Sequence, residues 1–153
     1  MKYRRVFIKG GHYFFTVASN HRAPVFIDNI DAIRNGLRYA KEKHPFDIEA
    51  SVILPDHLHM IWKLPEDDAN FPLRWQLIKK HVTRSVGRNI WQRRFFEHVL
   101  RDDHDWQMHV DYIHYNPVKH GYCERVSQWP YSSYRKFYGD SEIEIKAIDM
   151  DLE

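Results

Sequence analysis

The chain predicts an α+β fold, an antiparallel sheet with helices laid against it. Short aromatic and β-branched runs with two-residue alternation recur at 12–18, 46–64 and 95–100, the period of strands. Residues 28–44, 72–88 and 102 onward instead space their apolar side chains three or four apart, the period of helices with one buried stripe. The resulting order is strand, helix, strand, strand, helix, strand and a further helix, in which two strands meet directly as a hairpin.

Each element has its own local signal. After the Gly10–Gly11 break, HYFFTVA (12–18) reads as the first strand. Asp28 is placed to cap a helix to about His44, with Ile30, Ile33, Leu37 and Ala40 on one face and Pro45 as the stop. From there Phe46, Ile48, Ala50, Val52 and Leu54 fall on one side of a strand. Pro55–Asp56 marks a turn and 57–64 alternates again, so 46–64 predicts a hairpin. Residues 72–88 form an amphipathic helix with Ile78, Val82 and Val86 inward, and Phe95–Leu100 a short strand. Asp102 or Asp103 caps the last helix, whose Trp106, Val110 and Ile113 lie toward the core. The arrangement is ferredoxin-like: one domain over 1–138, with helices on one face of the sheet and a further C-terminal helix. Residues 139–153 hold few apolar anchors and predict a loose acidic tail.

At 153 residues the chain is long enough to bury a real core, and 29% charged residues with ordinary hydrophobic content exclude disorder. No apolar run approaches the ~18 residues of a membrane span, and the N-terminus lacks the pattern of a secretory signal. Cys123 is the only cysteine, which excludes disulfide frameworks and cysteine-rich zinc sites. A soluble, cytoplasmic protein is the expectation. Its net charge of +2 is unevenly spread. Between Pro72 and Arg101 eight basic residues face Glu97 alone, whereas 140–153 carries six acidic residues against Lys146. A basic middle with an acidic end points to a polyanionic partner and a tail able to compete with it over the basic surface.

The segment LPDHLHMIW (54–62) sets two histidines one residue apart in an apolar run. On a strand His57 and His59 share one face, while Leu58, Met60, Trp62 and Leu64 share the other. The histidines thus occupy the open face, about 7 Å apart at Cα, and can converge on one ion. Neutral imidazole is a common metal ligand, and an added oxygen ligand suits a divalent metal handling phosphate. With 11 histidines in the chain the pair alone is weak and needs a second element.

That element is DYIHYNPVKHG (111–121). With GGHYFFT (10–16), HLH (57–59), WQRRFFEHVLRD (91–102) and WPYSSY (129–134), YIHYNPVKHG (112–121) completes five motifs in order. Together they resemble the REP-associated tyrosine transposases, bacterial relatives of the single-tyrosine HUH transposases, from about Tyr3 to Tyr138. The resemblance implies an HUH nuclease domain and a cut in single-stranded DNA, dependent on Mg2+ or Mn2+, at repetitive palindromes that fold into hairpins. It implies that the 5′-phosphate stays on tyrosine and a 3′-hydroxyl is left, so a second end can rejoin without ATP.

By helix geometry Tyr112 lies about 200° from Val110, away from the core stripe and presented as a nucleophile should be. Tyr115 occupies a neighbouring position and is an equal candidate on geometry; the resemblance selects Tyr112. Asn116 lies one turn after Tyr112, where the resemblance implies a third metal ligand beside His57 and His59. Pro117 disfavours helical dihedrals at Asn116, which can equally be a helix-ending residue. For DNA binding, Lys80, Arg84 and Arg88 recur every four residues opposite Ile78, Val82 and Val86, beside Lys79. Arg4 and Arg5 precede the first strand, where the resemblance places contacts near the hairpin foot. Trp91 and Trp129 are read as core in preference to base-stacking platforms. Two other readings stand beside the enzyme: a catalytically silent DNA-binding regulator on the same scaffold, and a metal hydrolase of small phosphates or RNA. Monomer and homodimer both remain open.

Overall fold

The computed structural model describes residues 5–145, 150 and 152. Its strands β1 (His12–Ala18), β2 (Asp47–Ile53), β3 (His57–Lys63) and β4 (Phe96–Val99) form one antiparallel sheet, ordered β2–β3–β1–β4. Helix α1 (Ile30–Lys43) follows β1, α2 (Phe71–Val86) follows β3, and α3 (Asp103–Lys119) follows β4. A short α4 (Tyr134–Tyr138) comes last.

Helices α1 and α2 cover one face. Tyr13, Phe15 and Val17 of β1 and Leu58, Met60 and Trp62 of β3 meet Ile33, Leu37, Phe71, Trp75, Ile78 and Val82 there. Trp62 and Trp75 stack with ring centroids 4.5 Å apart. Burying a large apolar side chain stabilises by roughly 1.5–3 kcal/mol, so this layer carries most of the fold's hydrophobic energy. Gly36 permits the close approach of α1 to α2: a Cβ at that position would stand 2.8 Å from Val82 Cγ2.

The further helix, α3, takes the opposite face of the sheet. Val110, Tyr112 and Ile113 pack there on Phe14, Ala50, Val52, Leu54 and Ile61. The single-sided alternation expected from Phe46 to Leu54 is broken by a bulge between Ile48 and Ala50. Phe46 and Ile48 therefore face α1, whereas Ala50, Val52 and Leu54 face α3. One inserted residue reverses every facing after it. The bulge residue Glu49 turns its carboxylate toward α3, accepting from Trp106 Nε1 at 3.2 Å and from His12 Nδ1 at 2.6 Å.

Caps explain most boundaries. Asn70 accepts from Leu73 N and Asp102 from Asp105 N, starting α2 and α3, and α2 stops at Gly87 with φ 89°. Helix α1 starts later than Asp28 suggested, after Asn29, whose side chain donates to Val25 O instead of capping. Arg74, counted from sequence among the surface charges, is 1% exposed. It donates to His44 O, Pro45 O and Asn70 O and pairs with Asp68, satisfying carbonyls at the end of α1. Residues 131–133 lie along the edge of β2, with Ile53 N donating to Tyr131 O and Ser133 N to Ser51 O. That pairing protects an edge otherwise open to another strand. Among the described residues no helix is long and apolar enough to cross a membrane.

Candidate active site

Along β1 the side chains facing α3 shrink from Phe14 to Thr16 to Ala18, opposite Ile61, His59 and His57 of β3. The shrinking row leaves depth for two imidazoles, whose ring centroids lie 5.0 Å apart. The histidines share a face as expected, but that face is not open. His57 is 1% and His59 0% exposed, because α3 makes the sheet a middle layer.

Neighbours orient each ring. His57 Nδ1 donates to Asp56 Oδ1 at 2.8 Å, and Arg22 Nε donates to Asp56 Oδ2 at 3.2 Å. Burial opposes the charge on Asp56, but the hydrogen bond and charge of His57, then those of Arg22, outweigh it and hold the carboxyl below its ordinary range. Arg22 Nη2 lies 3.4 Å from the same His57 nitrogen, a longer contact that does not outweigh the carboxylate. The Thr16 hydroxyl donates to Leu152 O at 2.8 Å and so accepts from His59 Nδ1, also at 2.8 Å. With Nδ1 of each ring so engaged, Nε2 is the nitrogen that each imidazole would offer to a metal.

Helix α3 runs through Pro117 to Lys119, so Asn116 stays helical, one turn beyond Tyr112, and is 0% exposed. Tyr112, expected away from the Val110 stripe, instead packs in the same buried cluster as Val110 and Ile113 and is 2% exposed, facing the sheet and not solvent. Its ring stands edge-on to His59 at 5.4 Å and to Phe14 at 6.2 Å. Lys119 Nζ donates to its hydroxyl at 3.3 Å, and Leu152 N does so at 3.4 Å. Tyr115 is half-buried on the same helix.

Several residues of this site carry little or no signal in the sequence. Asp56 sits directly before the HLH triplet, and a carboxylate beside a ligand-like histidine is the clue available. Arg22 has none, since it arrives from another element, whereas Thr16 lies within the GGHYFFT motif and Lys119 follows Tyr112 by seven residues on α3, where two turns of helix are the available clue. His120 places its ring 5.1 Å from His57. His21 and Arg22 both have φ of 55°, a left-handed backbone that side chains seldom adopt and that recurs beside functional sites.

Two described residues of the acidic end reach the site. Met150 and Leu152 pack against the cluster around Phe14 and Tyr112, and Lys119 Nζ donates to Met150 O at 3.2 Å. Met150 and Leu152 thus lie at the tyrosine. Lys146, Asp149, Asp151 and Glu153 fall outside the described residues.

Of the DNA-contact candidates, Arg4 lies outside the described residues. Arg5 pairs with Glu97 at 2.7 Å and lies over the Phe95 ring. Lys79 donates to Gln92 O at 3.1 Å, and burial, with the charge of Arg5, pushes its ammonium down to about 8. Lys80, Arg84 and Arg88 are exposed. Lys79, Lys80, Arg84, Trp91 and Arg93 help line a groove of about 560 Å³. Trp91 is core at 3% exposure, and Trp129 is half-buried with Nε1 donating to Ile53 O. Helix α2 belongs to the opposite layer from Tyr112. The chain after it returns to the histidine end, where Asn20 N donates to Ile90 O and Gln92 N to Ala18 O.

No family model matches the chain. It is 47% identical to the REP-associated tyrosine transposase of Escherichia coli, over 88% of this chain and 83% of that protein. A Haemophilus influenzae protein is 43% identical over 96% of this chain and 91% of its own length. The solved structure of a REP-associated tyrosine transposase bound to a REP hairpin matches with a TM-score of 0.89 at 42% identity, covering 97% of this chain and 95% of that one. A Deinococcus radiodurans structure, 18% identical with a TM-score of 0.51, shares the fold. Sequence identity on this scale, sustained across an equally close match of the whole fold, establishes that the chain belongs to the REP-associated tyrosine transposases.

Proposed function

We propose that the chain cuts and rejoins single-stranded DNA beside hairpin-forming palindromic repeats, through a 5′-phosphotyrosine on Tyr112. The observation that carries this reading is the convergence of the phenol with the histidine pair, edge-on to His59 at 5.4 Å with Lys119 at its hydroxyl. The relative solved with a REP hairpin supplies the substrate class.

Two buried imidazoles oriented through Nδ1, and a buried amide on the helix that carries the phenol, make a donor set that fits a divalent ion such as Mg2+ or Mn2+. Held by His57, His59 and Asn116, such an ion supplies Lewis acidity at the scissile phosphate. Asp56 and Thr16 orient the two rings through their Nδ1 protons. Lys119 sets a positive charge beside the phenol oxygen, the sign that stabilises a phenolate. The Tyr112 oxygen bonds to phosphorus as the bond to the 3′ oxygen breaks; the phenol gives up its proton to solvent, and the departing 3′ oxygen takes one up from solvent to leave as a hydroxyl. Attack of a 3′-hydroxyl on the phosphotyrosine reverses the step and reseals the strand. Lys79, Lys80, Arg84 and Arg88 hold phosphates along α2, with Arg4 and Arg5 nearer the hairpin foot.

One observation favours the rival, a catalytically silent DNA-binding protein: the phenol is 2% exposed and receives the Leu152 amide. Hairpin DNA with Mg2+ or Mn2+ separates the two. On the enzyme reading a covalent adduct forms, retains label placed 3′ of the cut, increases in a chain truncated after Gly139, and vanishes in Tyr112→Phe but not in Tyr115→Phe. Tight hairpin binding with no adduct from either the full or the truncated chain would establish the silent protein.

A further inference from the structure

We propose that His98, Asp105 and His109 form a second divalent-metal site, of the Zn2+ class, that clips β4 to the first turns of α3. His98 pairs across the ladder with Phe14, so it faces the α3 layer. Asp105 lies in the first turn of α3 and His109 one turn further along. Each offers a ligand atom, and the three atoms lie within 4.8 Å of one another. None belongs to the His57 and His59 pair.

The details suit a metal. His98 Nε2 lies 3.0 Å from Asp105 Oδ2, with a proton between them whose place an ion takes on binding. The two imidazole rings lie 4.9 Å apart, a spacing that two ligands of one ion can adopt. His109 Nδ1 donates to the backbone oxygen of Asp105 at 2.7 Å, with the carboxylate Oδ1 further off at 3.3 Å. The ring nitrogen beside the carboxylate is therefore Nδ1, and an ion bound there takes the place of the proton given to the carbonyl. The side chains of His98, Asp105 and His109 are 30%, 15% and 6% exposed, shielded from bulk water yet reachable by an ion. Arg101 Nε stands 3.9 Å from Asp105 Oδ2 on a side chain that is 78% exposed, at the rim and free to swing away. Two imidazoles and one carboxylate, with water in the fourth position, are a zinc donor set, softer than the oxygen-rich sets that favour Mg2+.

The consequence bears on the tyrosine. Strand β4 is a four-residue edge strand, joined to α3 by residues 100–102 alone. Tyr112 follows His109 by three residues on the same helix. An ion bound across this junction restrains rotation of the helix that presents the nucleophile, so His98, Asp105 and His109 are positioning residues.

The test uses the full chain carrying His57→Ala and His59→Ala, so that the other histidine pair cannot contribute. Stripped by a chelator and titrated with Co2+, it is expected to bind one equivalent with the visible absorption of a low-coordinate ion. Zn2+ should quench those bands and raise the melting temperature. His98→Gln, which keeps a donor to Asp105, should abolish the bands, whereas substitution of the exposed neighbour His104→Gln should leave them. Absence of binding, or bands that survive His98→Gln, overturns the proposal. Should His98→Gln fail to fold, histidine-selective acylation of the parent decides: Zn2+ should protect His98 and His109, and equal labelling with and without Zn2+ overturns the site.

Discussion

His57 and His59 face each other across 5.0 Å with their Nδ1 protons already committed, so their value to the chemistry lies in Nε2. The double substitution His57→Ala, His59→Ala is expected to abolish nicking, as chelation by EDTA should, while hairpin binding persists. Because both rings are buried, this variant should also lose stability, about 1–3 kcal/mol. Nicking therefore has to be read below its melting temperature, and normal cleavage by a folded double variant would remove these residues from the site. Lys119 permits a finer separation. Lys119→Gln keeps most of the stem and loses the charge 3.3 Å from the phenol oxygen. Adduct formation is expected to slow by about tenfold, or ~1.4 kcal/mol of barrier, with little change in DNA affinity. A proportionate fall in affinity with unaltered single-turnover rate would assign Lys119 to DNA binding instead.

Among the elements, α2 has the most divided character. Its inner stripe of Trp75, Ile78 and Val82 builds the core, while Lys80, Arg84 and Arg88 remain exposed. Neutralising those three to Gln should weaken binding to all single-stranded sequences alike. The log–log salt dependence should flatten by roughly 0.7 for every phosphate that the stripe ceases to neutralise. An unchanged slope would show that the stripe faces solvent in the complex, and a sequence-selective loss that it reads bases. Helix α3 works differently: its two ends bear separate tasks, with Asp102 and Asp105 organising the start and Tyr112, Asn116 and Lys119 lying toward the end.

For the molecule as a whole, His114 links α3 to the chain beyond it. Its Nε2 accepts from Ser133 Oγ at 2.9 Å, and that same oxygen accepts from Ser51 N at the edge of β2. Burial pushes His114 down from 6.5 to about 4. The folded state therefore refuses a proton that the unfolded chain takes up. Its contribution is fully present above about pH 6.5 and is lost as pH falls toward about 4, with a slope of up to about 1.4 kcal/mol per pH unit. His114→Gln removes this titration. Urea midpoints of parent and variant should converge, or cross, between about pH 7 and about pH 5. A constant difference across that range would mean that His114 is not the titrating group.

Periodicity alone determined the strands at 12–18 and 57–63, three of the helices, the shared face of His57 and His59, and the turn of helix between Tyr112 and Asn116. Each is a relation between near neighbours, fixed by side-chain directions that repeat every two or 3.6 residues. What covers a face is not such a relation. The second helix layer that buries the histidines, the bulge that reverses β2 after Ile48, and the removal of Arg74 from the basic surface all depend on packing between separate elements. The hydrogen bond between Thr16 and Leu152 joins positions 136 residues apart, and no local pattern announces it. Only the tertiary structure could place Met150 and Leu152 at the tyrosine, because two isolated apolar side chains have no stable position until a finished surface exists to receive them.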